Sequence, residues 1–162
     1  MSTPFIRLMK QEGIREDVIR TFEAYYKMLV KGEKGLIKEE EISPPAEENL
    51  IDYQQIRQNS RSSMLKNTAV IKLNGGLGTS MGLSKAKSLL PVKNNLNFLD
   101  IISRQVLTLR SISGYDVPLL FMNSFSTEED TLKYLEKYPD LGKQGLPLSF
   151  LQNKFPRIRQ DN

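Results

Sequence analysis

Apolar side chains recur every three or four positions over residues 4–31: Phe5, Leu8 and Met9, then Ile14, Val18, Ile19, Phe22, Tyr25, Tyr26 and Leu29. That spacing predicts helix, with the apolar stripe as its packing face. Gly13 divides it into a short first helix and a longer second one, and Gly32 stops the second near its lysine-rich end. "GEKGLIKEEEISPPAEENL" then reads as a turn and an acidic linker closed by Pro44-Pro45. From about residue 68 the period changes. "TAVIKL" is β-branched and runs into Asn74-Gly75, a strand meeting a turn. "NFLDIISRQVLTLRSI" sets Phe98, Leu99, Ile102, Val106, Leu109 and Ile112 at helical spacing, and "VPLLFM" (117–122) is a second buried strand. "STEEDTLKYLEKY" predicts a helix with Ser126 as N-cap and Glu129 completing a capping box, and "LPLSFLQ" (146–152) is a third strand.

Strand, helix, strand, helix, strand predicts an α/β fold: a parallel sheet with right-handed crossovers, the N-terminal helices forming an appended layer. The chain divides accordingly into a helical lead-in with its linker, residues 1–54, and the front part of an α/β domain, residues 55–162. Three parallel strands make a narrow sheet and leave an edge to pair or cover. The pattern therefore reads as the incomplete front portion of a larger fold.

A length of 162 residues suits one ordinary domain, and 39% hydrophobic residues are enough for a core. The absence of cysteine excludes disulfides and thiolate metal sites. The absence of histidine removes imidazole ligands, the commonest general base, and with it a serine–histidine triad. "MSTPFIRLMKQEGIRED" lacks the apolar run of a signal peptide and no stretch is long enough to cross a bilayer, so a soluble cytoplasmic protein with no membrane partner is expected. The net charge of +4 hides an asymmetry: residues 1–54 carry 8 basic and 11 acidic side chains, residues 55–162 carry 15 and 8. The positive half contains "NGGLGTSMG", as expected if that half holds an anion.

Four glycines in the eight residues 75–82, followed by Lys85 and Lys87, pose the chemical question. A P-loop would need Lys-Ser or Lys-Thr after its second glycine, but Leu83 follows Gly82. The dinucleotide fingerprint fails by one residue at Gly76, Gly78 and Gly82, and no acid ends "LLFMN" to take a ribose hydroxyl. The loop still follows the carboxyl end of a strand, where open α/β sheets bind ligands, and residues without Cβ let backbone N–H groups approach a base or a phosphate. From the residues alone, a site for some phosphate-bearing ligand and a mobile turn with two solvated lysines both stay open.

"LNGGLGTSMG" followed by "KAKSLLPVKN" closely resembles the signature of the UTP–glucose-1-phosphate uridylyltransferases, or UDP-glucose pyrophosphorylases. "FLDIISRQV", "VPLLFMNSFSTEEDT" and "SFLQNKFPRI" resemble the next blocks of that family in the same order, and "FEAYYKMLVKGEKGLIKEEEISP" its helical lead-in. The resemblance implies a Rossmann-like nucleotidyltransferase (GT-A-like) sheet, here incomplete. It implies a reaction in which glucose 1-phosphate attacks UTP to give UDP-glucose and pyrophosphate, with Mg²⁺ as cofactor. It also implies a UTP site built from Leu73, Gly75, Gly76, Met122 and Gln152, with Lys87 as the phosphate-binding, catalytic lysine. Gly75 and Gly76 would lie against the uracil, Leu73 would shape its pocket, and the Gln152 amide could pair with both an N–H and a carbonyl of the base. Met122 and Asn123 would line the pocket, and Arg157 is either a phosphate contact or a structural ion-pair partner.

Two departures from the family pattern matter. Lys85-Ala86 stands where the family usually has Gly-Pro, which predicts a more flexible, more positive loop. Ser80 stands where related UDP-N-acetylhexosamine enzymes have arginine, which favours the glucose enzyme. The family's metal-holding aspartate and sugar-binding residues lie beyond the last block, and neither Asp116 nor Asp161 replaces the aspartate, so the metal ligands are expected outside this chain and the fragment is expected to be inactive alone. The competing reading is a non-catalytic module binding a protein or nucleic acid through its positive half. Nucleic acid is disfavoured because the aromatics there are expected mostly at core positions rather than on a stacking surface.

Overall fold

The computed structural model describes residues 4–59, 61–143 and 145–158. Contacts divide the chain into two compact units, one running to Gln58 and resuming at Asn153, the other spanning Asn59–Gln152.

In the first unit the periodic stripe forms α1 (Pro4–Gln11) and α2 (Glu16–Val30). Gly13 (φ +68°) and Gly32 (φ +78°) turn the chain where the breaks were expected, in the left-handed region that glycine enters at little cost. Met9 and Ile19 are fully buried, and Phe5 packs edge-on to Phe22 with ring centroids 5.2 Å apart. Phe155 also stacks with Phe22, their ring centroids 6.4 Å apart. The linker holds two single 3₁₀ turns, and then α3 (Tyr53–Asn59), which the periodicity did not predict. Asp52 starts α3 by accepting the Gln54 N–H at 2.8 Å, a capping signal in a stretch with no apolar stripe to draw attention to it.

The second unit is the expected sheet. β1 (Val70–Asn74), β4 (Leu119–Asn123) and β5 (Ser149–Leu151) lie in the order β1-β4-β5, all parallel, with β4 in the middle. Both crossover helices, α4 (Phe98–Ser113) and α5 (Glu128–Leu135), cover one face, as two right-handed crossovers stepping in the same direction require. Leu119 and Phe121 of that face pack with Leu99 and Val106 of α4, Leu135 of α5 and Leu141. The opposite face carries Ile71, Leu73 and Phe150, all exposed, because no element of this unit covers it.

A short hairpin, β2 (Pro91–Lys93) and β3 (Leu96–Asn97), precedes α4 and was not anticipated. Asn94 and Asn95 turn it with φ of 51° and 58°, values tolerated by asparagine and suited to a two-residue hairpin turn.

The expected capping box on α5 is not there. The helix begins at Glu128 after Thr127, and no side chain caps it. The Thr127 hydroxyl instead donates to the Asn74 carbonyl at 2.9 Å and accepts the Ser124 N–H at 2.9 Å, so a contact across the fold displaces the local motif. The capping box belongs to α4, where Asn97 accepts the Asp100 N–H at 3.0 Å and Asp100 accepts the Asn97 N–H at 2.9 Å. Asp100 is fully buried and also accepts the hydroxyls of Tyr134 and Tyr138, each at 2.7 Å, and pairs with Lys137. Burial pushes this carboxyl up, but Lys137, the Asn97 N–H and the two tyrosines outweigh it and hold it well below the usual carboxylate range.

The aromatics of the positive half are less buried than expected: Phe98, Phe125, Phe150 and Phe155 are exposed. They sit on separate elements, since Phe98 opens α4, Phe150 lies on the bare sheet face and Phe155 stacks within the helical unit.

Candidate functional site

β1 ends in Asn74, which is buried and whose side-chain N–H groups donate to Asn123 Oδ1 at 2.7 Å and Thr131 Oγ1 at 2.8 Å. From that anchor the glycine loop leaves the sheet and folds back on itself. Leu77 and Ala86 face one another in an antiparallel bridge, flanked by Gly78 N–H to the Lys85 carbonyl at 3.2 Å and Lys87 N–H to the Gly76 carbonyl at 3.0 Å. Leu83 donates to the Gly78 carbonyl at 3.0 Å, and Gly82 reverses the chain with φ +72°. These backbone hydrogen bonds rivet the loop to itself. Ala86, expected to loosen it, is fully buried and held between the two bridging bonds. Gly78 is required by packing, because a Cβ there would meet Leu83 Cβ at 2.8 Å.

Two of the expected site residues touch. A Cβ on Gly75 would overlap Gln152 Oε1 and stand 2.9 Å from its Cδ. Gln152 follows β5, while Gly75 follows β1, and strands separated by one neighbour lie roughly 10 Å apart. The glutamine side chain therefore reaches over the carboxyl end of β4 to the loop, and its backbone N–H donates to the Asn123 carbonyl at 2.8 Å. Gly76 differs from its neighbour, since a Cβ there meets no protein atom within 4 Å.

Leu73, Gly76 and Lys87 share a cavity of about 270 Å³, together with Lys72, Ser88 and Phe98. The Lys87 backbone is tied to Gly76, which fixes where its ammonium starts from. Met122 pairs in register with Leu73 and is half-buried on the uncovered face. Asn123 does not line a base pocket: it is fully buried, donating to Ser149 Oγ at 2.8 Å and accepting from Asn74. Arg157 lies in the helical unit, lining a cavity there with Phe5, Tyr26 and Pro156. The Ser80 side chain and Asp161 lie outside the described residues.

The periodicity missed Lys72 and Phe98. Lys72 interrupts an apolar run as a strand cation, a signal the sequence did contain. Phe98 was placed in the helix stripe but is 46% exposed at the cavity, because it opens α4 beside the free edge of β1. Among the described residues no group of three or more acidic side chains is placed to hold a metal ion. Asp116 accepts from Lys143 at 2.8 Å and faces Arg110 at 3.5 Å, and Lys143 holds its carboxyl below the usual range.

A parallel sheet covered on one face, with a bonded glycine loop at the carboxyl end of its first strand, is an incomplete sheet of the Rossmann-like α/β class. Within that class, the chain belongs to the UTP–glucose-1-phosphate uridylyltransferase family, whose model matches residues 19–162. It is 38% identical over 135 residues to the UTP–glucose-1-phosphate uridylyltransferase of Solanum tuberosum, covering 80% of this chain and 28% of that protein. The corresponding Dictyostelium discoideum protein 2 is 33% identical over 159 residues, covering 95% of this chain and 31% of its own length. Among solved structures, UDP-glucose phosphorylase from Trypanosoma brucei superimposes with a TM-score of 0.83 at 40% identity, covering 98% of this chain and 34% of that one. A Leishmania major UDP-glucose pyrophosphorylase variant in complex with UDP-glucose gives 0.79 at 34% identity, covering 99% and 34%. The chain thus spans about a third of the length of these relatives. No described helix is long and apolar enough to cross a membrane.

Proposed function

We propose that this chain is the UTP-binding front part of a cytoplasmic uridylyltransferase that makes UDP-glucose and pyrophosphate from UTP and glucose 1-phosphate. One observation carries the reading: adjacent glycines serve two different groups. Gly75 is pressed by the Gln152 amide, and Gly76 is tied to Lys87. A uracil edge and a phosphate chain could therefore be read by neighbouring residues of one rigid loop.

In the reaction an oxygen of the sugar phosphate forms a bond to the α-phosphorus of UTP as the bond to the pyrophosphate oxygen breaks, in line. A phosphate monoester is already nucleophilic, so the lack of histidine is no obstacle. Lys87 would neutralise charge on the attacked and leaving phosphates, and the loop and Gln152 would hold the nucleotide in place. Mg²⁺ would enter with acidic ligands from outside the described residues, and would supply charge neutralisation at the phosphates. The fragment alone is expected to bind UTP without turning it over.

The test is an amide NMR titration of the chain with UTP, with ATP as control. Shifts at Gly75, Gly76, Lys87 and Gln152 with UTP alone are expected. Equal response to both nucleotides, or to neither, would sink the reading.

A further inference from the structure

The carboxyl ends of the three strands are joined by side chains as well as by the backbone ladder. Asn74 and Asn123 stand opposite one another in register, and Asn74 donates to Asn123 Oδ1 at 2.7 Å. Asn123 donates its own amide N–H to Ser149 Oγ at 2.8 Å, and the Ser149 hydroxyl donates to Glu128 Oε1 at 2.6 Å. One amide thus spans β1, β4 and β5, and both of its ends are occupied. The carbonyl of that same Asn123 holds the backbone of Gln152, whose side chain runs back over β4 to Gly75, the residue after Asn74. The circuit closes: Asn74 to Asn123, Asn123 to Gln152, Gln152 to the loop that Asn74 begins.

Burial alone would not demand this. An apolar pair in the last row of the sheet would satisfy packing, and a polar network is favourable only when its members are paired; Asn74, Asn123, Ser149 and Glu128 each have a partner in it. The backbone ladder sets the spacing of β1 and β5. What an apolar pair could not do is add a directional side-chain tie between their ends, where the Gln152 side chain leaves β5 and reaches the loop after β1.

We propose that Asn123, supported by Asn74 and Ser149, is a positioning residue for Gln152, so that discrimination between uracil and other bases depends on a buried amide that never touches the nucleotide. This rests on the reading of Gln152 as the uracil-reading group. Replacing Asn123 by aspartate keeps the shape but removes the donor to Ser149, whose own proton is committed to Glu128. The network then has two acceptors facing each other, and β5 loses its side-chain tie.

The experiment measures affinities of UTP and CTP for the chain and for Asn123→Asp, Ser149→Ala and Gln152→Ala, alone and combined, alongside the side-chain amide NMR signals of Gln152 without nucleotide. Ser149→Ala removes the acceptor without adding a buried charge and serves if Asn123→Asp does not fold. The expected result is a loss of about tenfold in the UTP-over-CTP ratio, the scale of one hydrogen bond, with displaced Gln152 signals. No further loss should appear in a Gln152→Ala background, since residues acting through one group are not additive. A folded variant with an unchanged ratio and unmoved Gln152 signals overturns the proposal. If the unaltered chain has no preference for UTP, the uracil reading itself fails. The ligand-free Gln152 signals then decide the positioning geometry separately: displacement upholds it, and unmoved signals overturn it.

Discussion

Gln152 and Gly75 are 77 positions apart in sequence, yet the glutamine amide occupies the space that a side chain at position 75 would need. Gly76, one residue on, faces open space. The two glycines are thus absent of side chains for different reasons, one because the protein fills the space and one because it is left empty.

That difference separates two alanine substitutions. Gly75→Ala should push the Gln152 amide aside and lower UTP selectivity by roughly tenfold, with a small change in stability because a flexible chain end can move. Gly76→Ala should leave the melting temperature within about 2 °C, yet weaken UTP binding if the nucleotide occupies that space. Calorimetric titration beside thermal melts checks both. Unchanged UTP affinity in Gly76→Ala would remove this glycine from the site.

Lys87→Met should cost roughly 10- to 100-fold in UTP affinity while barely affecting uridine, which has no phosphate for an ammonium to meet. Lys72→Met, altering the second cation of the cavity, should have a smaller effect with the same dependence on phosphate. Equal losses for uridine and UTP would point to a disturbed loop in place of a lost charge contact.

Gly78→Ala tests the rivets. The new methyl group would meet Leu83 at its Cβ, close to the backbone, where relief is hard. A loss of about 1–3 kcal/mol in denaturant unfolding is expected. Leu83→Ala should recover part of it in the double variant by opening that space.

Asp100 ties α4 to the end of α5, and its folded-state pKa lies below the ordinary value. Its contribution is therefore complete above the ordinary carboxylate range, about pH 4, and is lost as pH falls through the lowered folded value. Lys137 shifts the other way: burial lowers its pKa, but Asp100 and Tyr134 outweigh this and raise it. Its contribution is present below its ordinary value and is lost as pH rises through the raised one. Asp100→Asn should destabilise by about 3 kcal/mol at neutral pH, since it leaves Lys137 and two tyrosine hydroxyls poorly matched. The gap to the unaltered chain should narrow below pH 4 in acid unfolding. A gap independent of pH would mean that the charge of Asp100 contributes nothing.

The two N-terminal helices, the three strands and the two crossover helices were legible in sequence because each follows a period set by backbone geometry alone. Apolar residues must fall every 3.6 positions to share a helix face, and short apolar runs bounded by turn residues mark buried strands. The loop was legible as a candidate phosphate or base contact because its glycines and lysines are close in sequence, with a solvated turn left open beside that reading. The missed features have no such local period. α3 rests on a single cap from Asp52, and the β2–β3 hairpin on two asparagines in the left-handed region.

The sequence by itself determined the strand–helix order and the loop that carries the candidate chemistry, while the helices fall on one face because of the strand order that only the tertiary structure shows. Only the tertiary structure decided that the Thr127 hydroxyl reaches the Asn74 carbonyl where a Ser126–Glu129 capping box was expected, that Asn123 is fully buried, and that Gln152 meets Gly75 across an intervening strand. Each of these depends on which strand lies in the middle of the sheet and on its register with its neighbours. A shift of one residue would send every side chain to the opposite face, and no pattern within a single element encodes the distance to another.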